Sequence, residues 1–169
     1  MSPPVNRPLR ERRGPILTPG EHAMIDELLG RKVAILVMDG FEQIELTSPR
    51  EALERAGAIT HILTPGPGGK VRGWHQHKPA DEFDVDASLE EASPDEYDAL
   101  LLPGGLASAD QLRQDPRAVE FARELIERDK PVSAISHGIW LLIEADVVQG
   151  RRVTSCPSLR TDLVNAGAQ

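Results

Sequence analysis

The stretch Pro131–Trp140, reading PVSAISHGIW, sets a hydroxyl between small residues where the chain changes character. Pro131–Ile135 is a short, mostly apolar run with the composition of a buried parallel strand. Ile139–Ile143 then carries apolar bulk into a helix. Between them, Ala134-x-Ser136-x-Gly138 is a variant of the G-x-S-x-G nucleophile elbow. Small neighbours let such a turn tighten and lift its central side chain above the carboxyl ends of the strands. The chemistry predicted here is nucleophilic attack by Ser136. Taken alone, the five-residue pattern fits a structural serine equally well.

Three further groups could serve that hydroxyl. Gly104-Gly105 follows YDALLLP and would bring bare backbone N–H groups beside the elbow. With the His137 amide they could form an oxyanion hole, although such a tripeptide is more commonly only a loop. Glu45 lies just past the first strand and could face the elbow. The plain alternative is an exposed carboxylate in a first helical turn, favoured by the helix dipole. His137 follows Ser136 directly. Adjacent side chains diverge, so His137 is expected to be an awkward base for Ser136 of its own chain. It would act through a neighbouring subunit or cap local structure. His75 and His77 sit two apart with Asp81 nearby, but no third and fourth ligand pattern accompanies them, so no metal is predicted. Cys156, before Pro157, reads as a buried and inert thiol.

Positioning these groups requires strands that end at one edge. Lys32–Met38 (KVAILVM) reads as a central parallel strand closed by Asp39-Gly40. Ser48-Pro49 predicts a helix over Pro49–Ala56, closing at Gly57, before a second strand at Ile59–Thr64. Pro65–Gly69 is a loop, and Lys70–Asp86 a small β excursion. Ser88–Ala92 is at most briefly helical. Tyr97–Leu102 is the next strand, and Ala109–Arg113 and Pro116–Asp129 are helices. After the elbow come a helix ending near Gly150, a short strand at Arg152–Ser155, and a helix over Ser158–Asn165. Strands alternating with helices predict an α/β fold with a mostly parallel sheet. Asp39–Glu45, Pro103–Gly105 and Ser136–Gly138 then share one edge.

Composition bounds the rest. The 169 residues suit one domain with a real core. Residues 1–30 read as an extension: a Pro- and Arg-bearing tail, then a short helix Glu21–Leu29 capped by Thr18-Pro19. Residues 31–169 form the domain. The formal net charge of −8 argues against general binding of nucleic acid or anionic membranes. Its apolar runs are too short to span a membrane. One cysteine excludes an internal disulfide framework and suits the cytoplasm, and the basic N-terminus has no apolar secretory core.

Four ordered segments then carry a resemblance: DGFEQIELTSPREALERAGA, YDALLLPGG, AISHGIWLLIEADVVQGRRVTS and PSLRTDLVNAGA. Together they resemble the PfpI family of intracellular-protease-like proteins, in the ThiJ/PfpI superfamily, from about Lys32 to Gln169. The resemblance implies a flavodoxin-like three-layer sandwich related to class I glutamine amidotransferase domains. It also implies self-association into dimers or hexamers, and no cofactor. Activities attributed to relatives are glyoxalase, deglycase, and peptidase or amidase, and many relatives are read as stress proteins. The implied substrates are small aldehydes or glycated and peptide carbonyls. In the family the elbow residue is a cysteine followed by histidine, its thiolate held by a protonated glutamate that matches Glu45. The paired glycines match Gly104 and Gly105.

The chain departs from the family in two ways. Ser136 stands at the cysteine position. A thiol with pKa of about 8.5 can be tuned to a thiolate, whereas a serine hydroxyl needs an adjacent general base. The family's thiol chemistry therefore does not transfer to Ser136, and Cys156 follows a different strand. The second departure is that relatives continue with a strand pair, a glycine turn and a closing helix, so the domain is expected to be truncated after Gln169. Three functions remain open: a weak or inactive member of the peptidase, glyoxalase or deglycase class; a non-enzymatic binding or assembly protein; and a serine hydrolase.

Overall fold

The computed structural model describes residues 27–169. The tail and most of the expected helix Glu21–Leu29 lie outside the described residues, and residues 27–30 form a turn. The strands are β1 (Lys32–Leu36), β2 (Phe41–Glu42), β3 (Ile59–Thr64), β4 (Lys70–His75), β5 (Lys78–Asp84), β6 (Ala87–Ser88), β7 (Ala99–Leu102) and β8 (Val132–Ala134). The α-helices are α1 (Gln43–Arg55), α2 (Leu106–Gln114), α3 (Pro116–Glu127), α4 (Ile139–Glu144) and α5 (Arg160–Asn165).

The continuous apolar run of β1 puts that strand in the middle of a five-stranded sheet ordered β6-β3-β1-β7-β8. Every pairing in it is parallel. Both faces of β1 are covered, which is why its sequence does not alternate. Ala34 and Leu36 join one core with Leu112 of α2, Phe121 and Leu125 of α3, and Leu141 of α4. Val33, Ile35 and Val37 join the other, with Leu46 and Leu53 of α1 and Val71 of β4. Ile35, Leu36 and Leu46 are wholly buried, each contributing about 1.5–3 kcal/mol. The result is a flavodoxin-like three-layer α/β sandwich. A small sheet ordered β2-β4-β5 stands beside it, and there β4 and β5 form an antiparallel hairpin.

Several boundaries differ from the sequence expectation. Helix α1 begins at Gln43, not Pro49, and carries Pro49 within it. A proline inside a helix forfeits one backbone bond. Burial of Phe41 and Leu46, together with pairing of β2 to β4, fixes the earlier start. The helix after the elbow ends at Glu144, with Asp146 in the left-handed region at φ 56°. Arg152–Ser155 has no regular secondary structure and is not the expected strand. Val153 N donates to Gln169 O and Gln169 N to Arg151 O, a contact one residue long that builds no ladder.

Candidate active site

Strands β1, β7 and β8 end level, with Leu101 opposite Ile35 on one side and Ser133 on the other. The loops that follow meet over this carboxyl edge. Ile135 N donates to Leu102 O and extends the β7–β8 ladder right up to the elbow. The chain then turns sharply through a 3-10 turn at Ser136–Gly138, with Ser136 at φ 51°. A non-glycine residue in the left-handed region costs roughly 1–2 kcal/mol. Strain of that kind persists only where the surrounding structure holds it.

Gly104 packs against the elbow. A methyl group on it would lie 2.4 Å from Glu45 Oε2 and 2.9 Å from Ser136 Cβ, so carboxyl and elbow converge there. Gly105 has φ 95°, and a methyl group on it would come within 2.6 Å of Glu42 N. Glycine is thus required at both positions for the two loops to touch.

Ser136, His137, Glu45 and Gly105 line one open cleft of about 680 Å³. Gly104 supports it from behind. Its N–H donates to Glu45 Oε2 at 2.7 Å, so this amide serves the carboxyl and is not offered to an anion in the cleft. Burial raises the Glu45 pKa; the Gly104 N–H works against that rise, and the charge of Glu42 adds to it.

His137 departs from the sequence expectation. Its Nδ1 lies 3.2 Å from Ser136 Oγ of the same chain, within hydrogen-bonding reach when the hydroxyl donates. The alternation that separates neighbouring side chains belongs to extended backbone. At a left-handed residue followed by a 3-10 turn it is lost. The imidazole also stands edge-on to Trp140, with centroids 5.1 Å apart.

The remaining cleft residues escaped sequence reasoning, among them Glu42, Trp74, Gln76, Asp110 and Trp140. One signal was available: the chain has two tryptophans, and both line this cleft. His75, His77 and Asp81 diverge. His77 lines the cleft, His75 Nδ1 is 3.8 Å from Glu42 Oε1, and Asp81 accepts from Gln43 Nε2. Among the described residues, no three such side chains are grouped to hold a metal ion. Cys156 lines a separate groove, with Sγ 3.4 Å from Ser158 Oγ.

A parallel α/β sheet with a polar side chain raised on a strained strand-to-helix turn over its carboxyl edge defines a flavodoxin-like domain with a nucleophile-elbow type of cleft. Within that class the chain belongs to the DJ-1/PfpI family, whose sequence model matches residues 31–169. It is 42% identical over 141 residues to "Protein/nucleic acid deglycase 2" of Escherichia coli, an alignment covering 83% of this chain and 80% of that one. It is also 42% identical over 140 residues to "Putative cysteine protease YraA" of Bacillus subtilis, with the same coverage. Among solved structures it is similar to a two-domain protein from Anabaena variabilis containing DJ-1/ThiJ/PfpI-like and ferritin-like domains. That match has a TM-score of 0.76 and 33% identity, and covers 82% of this chain and 39% of the larger one.

Proposed function

We propose that this protein is a DJ-1/PfpI domain of the peptidase, glyoxalase or deglycase class, with Ser136 at the nucleophile position and weak turnover as a consequence. The observation that carries this reading is the strained backbone of Ser136, which packs with the Glu45 carboxyl around Gly104. In this reading Glu45 keeps Oε2 on the Gly104 amide, and Oε1 carries a proton toward position 136. The Gly105 and His137 amides remain as candidate donors to an oxyanion. A cysteine at 136 would attack a small aldehyde as thiolate. The carbon–sulfur bond forms, the carbonyl oxygen takes the electron pair, and His137 or Glu45 returns a proton to give a hemithioacetal. An alcohol at 136 is too weak an acid to enter that path unaided. The acidic chain and the carboxylates of the cleft favour aldehyde, glycated or peptide carbonyls over nucleic acid. Ile44 and Leu106, both largely exposed beside the cleft, are apolar surface that self-association would cover. Among the described residues no helix is long and apolar enough to cross a membrane.

A second reading, a serine hydrolase, is favoured by the contact of Ser136 Oγ with His137 Nδ1. One experiment separates the two. Methylglyoxal turnover by the Ser136→Cys variant is expected to exceed that of the parent by at least about 100-fold. Equal turnover refutes the proposal. If neither folded protein turns over, a binding role on the same fold replaces it. A parent that hydrolyses esters, and loses that activity on Ser136→Cys, supports the hydrolase.

A further inference from the structure

Glu42 is not singled out by the sequence, yet it bonds to two of the loops that build the cleft. Its backbone N–H donates to Gly104 O at 3.1 Å, joining the β2 end to the turn after β7. Its carboxylate is mostly buried, with 20% of the side chain exposed. There Oε2 accepts from Gln76 N at 3.0 Å, and Oε1 lies 3.8 Å from His75 Nδ1. Gln76 is the turn of the β4–β5 hairpin and sits in the left-handed region at φ 57°. That hairpin supplies Trp74, Gln76 and His77 to the cleft wall. Gln43 and Asp81 bracket the same hairpin further out, Gln43 Nε2 donating to Asp81 Oδ2 and Asp81 N to Gln43 Oε1. Glu42 is the bond nearest the tip.

We propose that Glu42 is a positioning residue: it fastens the Gln76–His77 turn as the outer wall of the cleft and stands as a second carboxylate beside Glu45. Its charge adds to the rise that burial imposes on Glu45. The other titratable groups on the wall are His77, Asp110 and His137, with His75 against Glu42 itself. The role rests on the reading of Glu45 as the carboxyl partner of position 136. It nonetheless has its own test, because the readouts need no turnover.

Two substitutions divide the two parts of the role. Glu42→Gln keeps an oxygen for the Gln76 N–H and removes the charge. Glu42→Ala removes both. Amide hydrogen exchange at Gln76 and His77 is expected to quicken in Glu42→Ala and stay at the parental rate in Glu42→Gln. The Glu45 carboxyl, followed by carbon NMR against pH, is expected to titrate at a lower pH in both variants. A merely structural glutamate would move the exchange and not the titration. Unchanged exchange in a folded Glu42→Ala protein, or an unmoved Glu45 midpoint in Glu42→Gln, overturns the proposal. Either result stands whether or not Ser136→Cys gains turnover, so the two readings fail separately.

Discussion

Ser136 and Cys156 are both half-buried side chains with a nucleophilic heteroatom, and they occupy opposite kinds of place. Ser136 has left-handed backbone, a carboxyl and an imidazole in its surroundings, and a glycine that admits no further atom against it. Cys156 has φ −61° and ψ 151°, the relaxed extended conformation that a residue before proline prefers. Its neighbour is the Ser158 hydroxyl, and among the described residues no Asp, Glu or His side chain lines its groove. The more acidic group thus stands apart from the carboxyl and imidazole of the cleft. The less acidic group stands where those partners are assembled. Nucleophilic chemistry belongs to the assembly, and the identity of the heteroatom then decides whether it runs.

The Ser136→Cys substitution puts the thiol into the assembly and is the largest effect expected. The next effect concerns the tightness of the two places. Gly104→Ala would force a methyl group to within 2.4 Å of Glu45 Oε2 and 2.8 Å of Ile135 O. A backbone oxygen cannot swing aside, so the cost is expected at about 1–3 kcal/mol. It would be read as a lower urea midpoint at unchanged slope. A Gly104→Ala protein as stable as the parent would mean that the elbow is no more tightly held than the Cys156 groove.

Glu45 gives the comparison an electrostatic edge. Burial lifts its folded pKa above the unfolded value. Between those two values the native state keeps a proton that the unfolded chain releases, so stability falls as pH rises through that window. At any pH above the ordinary glutamate value the folded protein therefore bears a cost, either of holding that proton or of a partly desolvated carboxylate. Glu45→Gln leaves an oxygen for the Gly104 N–H and removes that cost. The variant is expected to unfold at higher temperature than the parent at neutral pH. The advantage should vanish once the pH is below the ordinary glutamate value. Parallel melting curves at the two pH values check both halves, and an advantage that grows in acid would reverse the assignment.

How much of this was legible in the sequence follows from where each interaction lies. KVAIL and ALLL could be read because strands buried on both faces need no alternation, only continuous apolar residues. Likewise α3 announces itself, with Asp115 capping Arg117 N and Ala118 N and Pro116 in the first turn. The elbow was legible as a local pattern of small residues. What escaped depends on partners far along the chain. The start of α1 is fixed by β4, about thirty residues away, against the local signal of Pro49. Glu42 is one carboxylate among several in its segment, and its importance lies in a bond to Gln76. The Ser136–His137 contact is hidden from sequence because divergence of neighbouring side chains holds for extended backbone, which the strained turn abolishes.

The smallest effect is expected at Cys156. Among the described residues its side chain meets one polar group within bonding distance, the Ser158 hydroxyl, and its backbone is unstrained. Cys156→Ser exchanges a polarisable sulfur for a smaller oxygen at a half-buried position, so stability should change by no more than about 0.5 kcal/mol. In a Ser136→Cys background, the same substitution should leave methylglyoxal turnover where it was. If turnover instead falls with the loss of Cys156, the thiol outside the elbow is doing chemistry from an unstrained backbone with no carboxyl or imidazole beside it. The contrast between the two positions would then have to be drawn on accessibility alone.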